Sequence, residues 1–163
     1  MMVHLVCGKI CSGKSTFARC LAREKNAVIL SCDDLSLSLF SEGLGENHDG
    51  MMRRVQAYLH ERAVDIARTG TEVILEWGFW TRIDRKNAEE YYAARNISVV
   101  WHYMDISGEA LRAAIEKRNA RVLSGEEKSY FVDAGLFEKM DSAFETPDEK
   151  EKAGWHIVAR CEA

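Results

Sequence analysis

Short apolar runs and helical patterns alternate along this chain. Apolar runs rich in β-branched residues predict buried strands of a parallel sheet. They cover residues 3–7, 27–32, 71–75, 97–104 and 155–159. Apolar residues recur at helical spacing between these runs. The helical patterns cover residues 14–25, 35–40, 51–69, 82–96, 109–122 and 133–144. This alternation predicts an α/β fold, a five-stranded parallel sheet with helices on both faces.

The first strand leads into a glycine-containing loop and then a helix. Residues 8–16 read Gly-Lys-Ile-Cys-Ser-Gly-Lys-Ser-Thr and fit Gly-x-x-x-x-Gly-Lys-Ser, the phosphate-binding loop. Such a loop points backbone N–H groups at a polyphosphate, and the helix N-terminus adds its positive dipole end. Lys14 supplies charge for the β- and γ-phosphates, and the Ser15 hydroxyl supplies a ligand for Mg²⁺. The predicted nucleoside triphosphate site comprises Gly8, Lys9, Ile10, Cys11, Ser12, Gly13, Lys14, Ser15 and Thr16.

Acidic residues follow the second and third strands. Asp33 and Asp34 come after the second strand, and Glu76 comes after the third. The carboxyl ends of parallel strands face the ligand crevice, so these acids are expected at the edge that carries the phosphate-binding loop. One of the two aspartates is the candidate general base. We expect Ser15, Asp33 and Glu76 to be the magnesium ligands, with Asp34 and Glu76 also placed to contact the acceptor.

Aromatic and basic residues follow Glu76. Three large rings occur within four residues, and Trp77 and Phe79 are candidates for stacking an acceptor; the alternative is that they cap the sheet. Arg82 and Arg85 lie in the first turn of a predicted helix, where cations are unfavourable unless an anion pairs with them. They are therefore candidate acceptor ligands. The alternative is a solvated face on which Arg85 pairs with Glu89.

A basic helix precedes a polar, glycine-containing stretch near the C-terminal third of the chain. Residues 112–132 are expected to form a lid that closes over the nucleotide and excludes water, with Arg118 and Arg121 facing the transferring phosphoryl group. The alternative is a solvated amphipathic helix. Residues 41–50, rich in glycine and polar side chains, are expected to form a loop over the site.

Composition limits the possible functions. The 163 residues contain no repeat or linker and fit a single domain. The net charge of −4 argues against a dedicated nucleic-acid surface. Five cysteines without zinc-ligand spacing favour reduced thiols. No secretory leader and no apolar run of bilayer length is visible, so the expected location is cytoplasmic and no membrane partner is expected.

These features occur in the order found in P-loop kinases: phosphate-binding loop, Asp-Asp after the second strand, acid after the third, arginine-bearing lid, and Pro-Asp-Glu at 147–149. Over its whole length the chain resembles the AAA_33 type, which is related to chloramphenicol phosphotransferase, zeta toxin and polynucleotide kinase. The resemblance implies a three-layer P-loop NTPase fold with a small helical lid. It also implies that Asp33 accepts the proton of the acceptor hydroxyl, and that Arg118 and Arg121 are the lid arginines.

The sequence departs from polynucleotide kinases at one place. An arginine that grips the acceptor's phosphate follows their Asp-Asp pair, whereas Leu35 and Ser36 follow it here. The expected function is therefore ATP- and Mg²⁺-dependent phosphoryl transfer to a hydroxyl of a small molecule. Alternatives are a nucleotide-dependent ATPase or switch without an acceptor, and a polynucleotide 5′-hydroxyl kinase. No Asn-Lys-x-Asp guanine signature is present, which favours adenine.

Overall fold

The computed structural model describes residues 1–40, 48–127 and 129–159, and within them it contains five strands and six helices. The strands are β1 (Met2–Gly8), β2 (Val28–Ser31), β3 (Val73–Gly78), β4 (Ser98–Asp105) and β5 (His156–Ala159). The helices are α1 (Lys14–Lys25), α2 (Cys32–Leu39), α3 (His48–Arg68), α4 (Arg82–Ala93), α5 (Gly108–Leu123) and α6 (Ala134–Ala143). None of these helices is both long enough and apolar enough to cross a membrane.

The five strands form one parallel sheet in the order β2-β3-β1-β4-β5. This confirms the predicted α/β architecture. The register places Glu76 of β3 beside Ser31 of β2 on one side and beside Val6 of β1 on the other. Since all strands run the same way, their carboxyl ends share one edge, where β1 leads into the phosphate-binding loop and β2 leads into α2.

Alternate residues of the central strands pack on opposite faces of the sheet. Leu5 and Leu75 belong to the larger core, which also contains residues of α3 and α4. Val6 and Ile74 belong to a second core that includes Leu21 of α1. Helices therefore cover both faces, and the buried runs of β1 and β3 hold the phosphate-binding edge in place.

Two predicted boundaries differ from the structure on either side of the segment expected to be a loop over the site. Residues 41–47 of that segment lie outside the described part of the chain, but His48 to Gly50 form the first turn of α3. Helix α2 begins at Cys32, because the Ser31 side chain accepts a hydrogen bond from the backbone N–H of Asp34 at 3.2 Å and caps the helix.

Candidate active site

The loop between β1 and α1 depends on two glycines. Gly8 has φ 154° and Gly13 has φ 97°, both in the region that favours glycine. A Cβ on Gly8 would lie 2.8 Å from the Ser12 hydroxyl oxygen and 2.9 Å from the Cβ of Met104. Any side chain at Gly8 would therefore displace the loop from its neighbouring strand. Gly13 is the residue at which the chain turns into α1.

Lys14 spans the mouth of this loop. Its Nζ donates hydrogen bonds to the carbonyl oxygens of Gly8 at 3.1 Å and Lys9 at 2.7 Å. Desolvation lowers the Lys14 pKa, while the charges of Glu76 and Asp33 oppose that effect. A cation held over the loop by two carbonyl groups is placed to meet an anion that enters the loop.

The strand-end acids divide into one buried and two exposed side chains. Glu76 is 7% exposed and accepts a hydrogen bond from the Ser15 hydroxyl at 3.1 Å. Burial raises the pKa of Glu76, and the charge of Lys14 acts against that rise. Asp33 and Asp34 lie exposed in the first turn of α2 and line an open cleft of about 1680 Å³ that also contains the phosphate-binding loop.

The donor set around Ser15 fits a magnesium ion. Ser15 and Glu76 offer hard oxygen atoms in direct contact, and Asp33 is close enough to influence the pKa of Glu76. Within the described residues, no group of three or more His, Cys, Asp or Glu side chains is placed to hold a metal. Magnesium bound to nucleotides needs no such group, because one or two carboxylates suffice when phosphates and water complete the shell.

The aromatic residues after Glu76 have different environments. Trp77 is half-buried and lines the cleft, with its ring stacked on Phe79 at 5.0 Å between centroids. Phe79 also borders the cleft but is only 3% exposed, and it packs edge-on against Trp101 in the larger core. Trp77 is thus available to a ligand, and Phe79 supports it from the core.

The structure places Arg82 and Arg85, the predicted acceptor ligands, outside the large cleft. Arg85 is 1% exposed, and its Nε donates to a carboxylate oxygen of Glu151 at 2.9 Å. Arg82 pairs with Asp148 and lies 3.4 Å from Glu151. Both arginines border a separate cavity of about 420 Å³ and not the large cleft. The anions that they needed are carboxylates of the chain itself, contributed by the acidic segment before β5.

The alternative pairing of Arg85 with Glu89 is also absent. Glu89 accepts a hydrogen bond from the Trp101 indole N–H at 2.8 Å. The Nη1 of Arg85 donates to the carbonyl oxygen of Phe79 at 3.0 Å. Arg85 therefore ties the start of α4 to the end of β3 and to the segment that precedes β5.

The segment predicted to be a lid faces the phosphate-binding loop. Arg118 donates to the sulfur of Cys11 at 3.4 Å and to the hydroxyl of Ser129. Arg121 pairs with Glu127 at 3.3 Å, and Glu127 lies 4.0 Å from the Nε of Arg118. Both arginines line the cleft. Arg118 therefore lies against the phosphate-binding loop, and Arg121 lines the same cleft, with one glutamate neighbouring both arginines.

Several residues that line the cleft were not identified from the sequence. Met52, Arg53 and Gln56 of α3 border it. These residues fall within the helical pattern predicted for 51–69, but no motif distinguished them. Lys9 was assigned to phosphate binding, and its Nζ lies 2.6 Å from a carboxylate oxygen of Asp141 in α6.

Comparison with known proteins assigns this architecture to a family. A family model described as an AAA domain, AAA_33, matches residues 3–147. The chain belongs to the AAA_33 family. The match includes the phosphate-binding loop, both exposed aspartates, Glu76 and the arginine-bearing segment. A search of proteins with curated functions returns no match.

Solved structures similar to this AAA_33 protein include a gluconokinase, an APS kinase and an RNA repair complex. A gluconokinase from Sinorhizobium meliloti 1021 has a TM-score of 0.66 and 14% identity, covering 99% of this chain and 83% of its own. Mycobacterium tuberculosis APS kinase CysC, in complex with AMPPNP and APS, has a TM-score of 0.67 and 19% identity. The match covers 99% of this chain and 90% of the APS kinase chain. A chain of the Pnkp1/Rnl/Hen1 RNA repair complex has a TM-score of 0.68 and 22% identity. The match covers 87% of this chain and 43% of that chain. These likenesses show the P-loop kinase fold.

Proposed function

We propose that this AAA_33 protein is an ATP-dependent phosphotransferase that moves the γ-phosphoryl group to a hydroxyl of a small-molecule acceptor. One observation carries the proposal. The cleft runs without interruption from the phosphate-binding loop, with Lys14 across its mouth, to the exposed carboxylates of Asp33 and Asp34. A triphosphate and an alcohol can therefore meet inside one cavity.

Each residue has a role in that transfer. Lys14 and the loop N–H groups hold the phosphates, and Mg²⁺, when bound by Ser15 and Glu76, neutralises charge on them. The oxygen of the acceptor hydroxyl bonds to the γ-phosphorus while the bond from that phosphorus to ADP breaks. Asp33 accepts the proton that this hydroxyl loses. Arg118 offsets the charge that develops on the transferring group. Positioning and charge neutralisation supply most of the catalysis in reactions of this kind.

The open acceptor end favours a kinase over a nucleotide switch. A switch protein needs no cavity beyond the γ-phosphate, whereas here Asp33 and Trp77 line such a cavity. The similar structures named above include a gluconokinase, an APS kinase and an RNA repair complex, so the fold is compatible with several acceptors. The absence of an arginine after Asp34 supports a small molecule over a polynucleotide end.

The test uses two variants and γ-labelled ATP with Mg²⁺. We expect Lys14→Ala to abolish ATP binding and transfer. Asp33→Asn should bind ATP within a few-fold of wild type but lose about 10²- to 10⁴-fold in kcat, because the general base is gone. An unchanged rate in Asp33→Asn would remove the base assignment. ATP hydrolysis without a labelled product from any alcohol would favour the ATPase alternative.

A further inference from the structure

The acceptor end of the cleft has a wall formed by α2, α3 and the end of β3. Asp34, Arg53, Gln56 and Trp77 line it, and we refer to these four residues as the acceptor wall. Asp34 of the wall follows Asp33 directly in the first turn of α2, and both line the same cleft. An acceptor whose hydroxyl reaches Asp33 must therefore rest against it.

Trp77 provides a fixed apolar surface in this wall. Its ring stacks on Phe79 at 5.0 Å and meets the edge of the His60 ring at 5.0 Å. It also packs against the small core formed by Cys32, Val55 and Leu59. A ring held on several sides presents its remaining surface to the cleft in one orientation, which is how aromatic side chains position the apolar portion of a ligand.

Gln56 lies next to that ring. Met52, Gln56 and His60 follow one another at intervals of four residues and share one face of α3. His60 contacts Trp77, and Met52 packs against the same small core as Trp77. Gln56 therefore lies between them on the face of α3 that meets Trp77, and its side chain lines the same cleft. In the described part of the chain its amide has no hydrogen-bond partner, so both its donor and its acceptor are available.

The two charged residues of the wall offset each other. Asp34 carries a carboxylate that makes no side-chain hydrogen bond to the described residues. Arg53 donates from Nε to the backbone oxygen of Asp49 at 3.3 Å, and no carboxylate of the described residues pairs with its guanidinium. Around an aromatic surface the wall thus offers a carboxylate that accepts hydrogen bonds, a guanidinium that donates several, and an amide that does both. The charges of the carboxylate and the guanidinium sum to zero.

From this arrangement we infer that the acceptor is a neutral polyhydroxylated compound, a sugar or sugar alcohol, lying on Trp77 with its hydroxyl groups bonded to Asp34, Arg53 and Gln56. Each hydroxyl both donates and accepts, so it can satisfy a carboxylate, a guanidinium and an amide in one site. An anionic acceptor would face the carboxylates of Asp33 and Asp34 as well as Arg53. This inference rests on the proposed phosphotransfer but specifies its substrate class.

The experiment compares three matched acceptor sets with γ-labelled ATP and Mg²⁺. The first holds neutral hexoses and hexitols, the second the corresponding hexonic acids, and the third nucleosides and a 5′-hydroxyl oligonucleotide. We expect labelled product from the first set. Arg53→Gln and Gln56→Leu should then raise the KM for the preferred sugar about tenfold or more, with the KM for ATP within about twofold of wild type.

Arg54→Gln is the matched control, because Arg54 is an exposed arginine of the same helix that does not line the cleft. It should leave both KM values unchanged. Transfer only to the acids or to the third set, or ATP binding without transfer to any neutral polyol, overturns the substrate class. Equal KM values for the sugar in wild type, Arg53→Gln and Gln56→Leu would contradict the proposal that these wall residues bind the acceptor. Failure of wild type to bind ATP would instead overturn the proposed function itself.

Discussion

The hydroxyl of Ser15 donates a hydrogen bond to the Glu76 carboxylate at 3.1 Å, although 61 residues separate the two in the chain. The contact links the first turn of α1 to the end of β3. It places a hydroxyl and a carboxylate side by side directly next to the phosphate-binding loop, and these are the two groups that we propose would hold a magnesium ion.

Glu76→Gln should weaken binding of ATP in the presence of Mg²⁺. The amide keeps the size of the side chain and can still accept the Ser15 hydrogen bond, but it loses the negative charge that a magnesium ion requires. We expect about a 10- to 100-fold rise in the Kd of Mg-ATP, measured by calorimetry. Binding measured with a chelator should change little. The exposed Glu90→Gln should behave as wild type, and an unchanged Kd in Glu76→Gln would contradict the metal assignment.

Arg118→Ala should lower kcat more than it lowers nucleotide affinity. Arg118 lies against Cys11 of the phosphate-binding loop, so its charge is near the transferring group. Loss of one such cation should reduce kcat on the order of 10²-fold or more. Arg112→Ala is the control, because Arg112 is an exposed arginine of the same helix outside the cleft. Equal kcat values in both variants would exclude a catalytic role for Arg118.

Arg85→Ala should destabilise the fold strongly. The substitution leaves the Glu151 carboxylate without its main partner and removes the donor to the Phe79 carbonyl. Removing one member of a buried pair costs about 3–5 kcal/mol, and we expect a loss toward that range in urea unfolding. Arg82→Ala is the matched control. Its side chain is 58% exposed in its pairs with Asp148 and Glu151, so solvent screens both pairs and a much smaller loss is expected. Equal losses in the two variants would contradict the buried role of Arg85.

Stability should fall between pH 6.5 and about 4. Burial lowers the pKa of His102 to about 4, and the charges of His4, His156 and Lys25 add to this effect. Burial likewise lowers the pKa of His60 to about 4. The unfolded chain therefore binds protons below pH 6.5 that the native protein does not bind. The contribution of these two neutral histidines to stability is fully present above pH 6.5 and is lost as the pH falls toward 4.

The His102 contribution can be isolated by urea unfolding at several pH values. His102→Gln should reduce the loss between pH 6.5 and 4.5 by on the order of 1–3 kcal/mol, because glutamine does not titrate. The exposed His48→Gln should retain the wild-type pH dependence. A His102→Gln profile parallel to that of wild type would show that this histidine does not carry the effect.

Local patterns in the sequence predicted the elements well. Helix α1 has the bounds that apolar spacing indicated, and all five strands appear where apolar runs lie. The phosphate-binding loop was recognisable because its function depends on backbone conformation and on residues within one short segment. The position of the strand-end acids at the same edge was also predictable, because the carboxyl ends of parallel strands lie at one edge of the sheet.

Contacts between distant segments could not be read in the same way. The partner of Arg85 lies 66 residues away, so a charge pattern within one helix suggested Glu89 or an external anion instead. Arg118 meets Cys11 across 107 residues. Neither pairing leaves a periodic signal, because each depends on which elements the sheet order places next to each other.

The sequence by itself determined the fold class, the triphosphate loop and the edge at which chemistry is expected, because these follow from periodicity and from one continuous motif. Only the tertiary structure decided that Arg82 and Arg85 pair with acidic residues of the segment before β5 and that residues of α3 line the cleft. Side chains acquire partners through the packing of elements, and the order β2-β3-β1-β4-β5 differs from the order of the chain. The sequence gives the type and charge of each residue, but only the folded structure gives the residues that lie next to it in space.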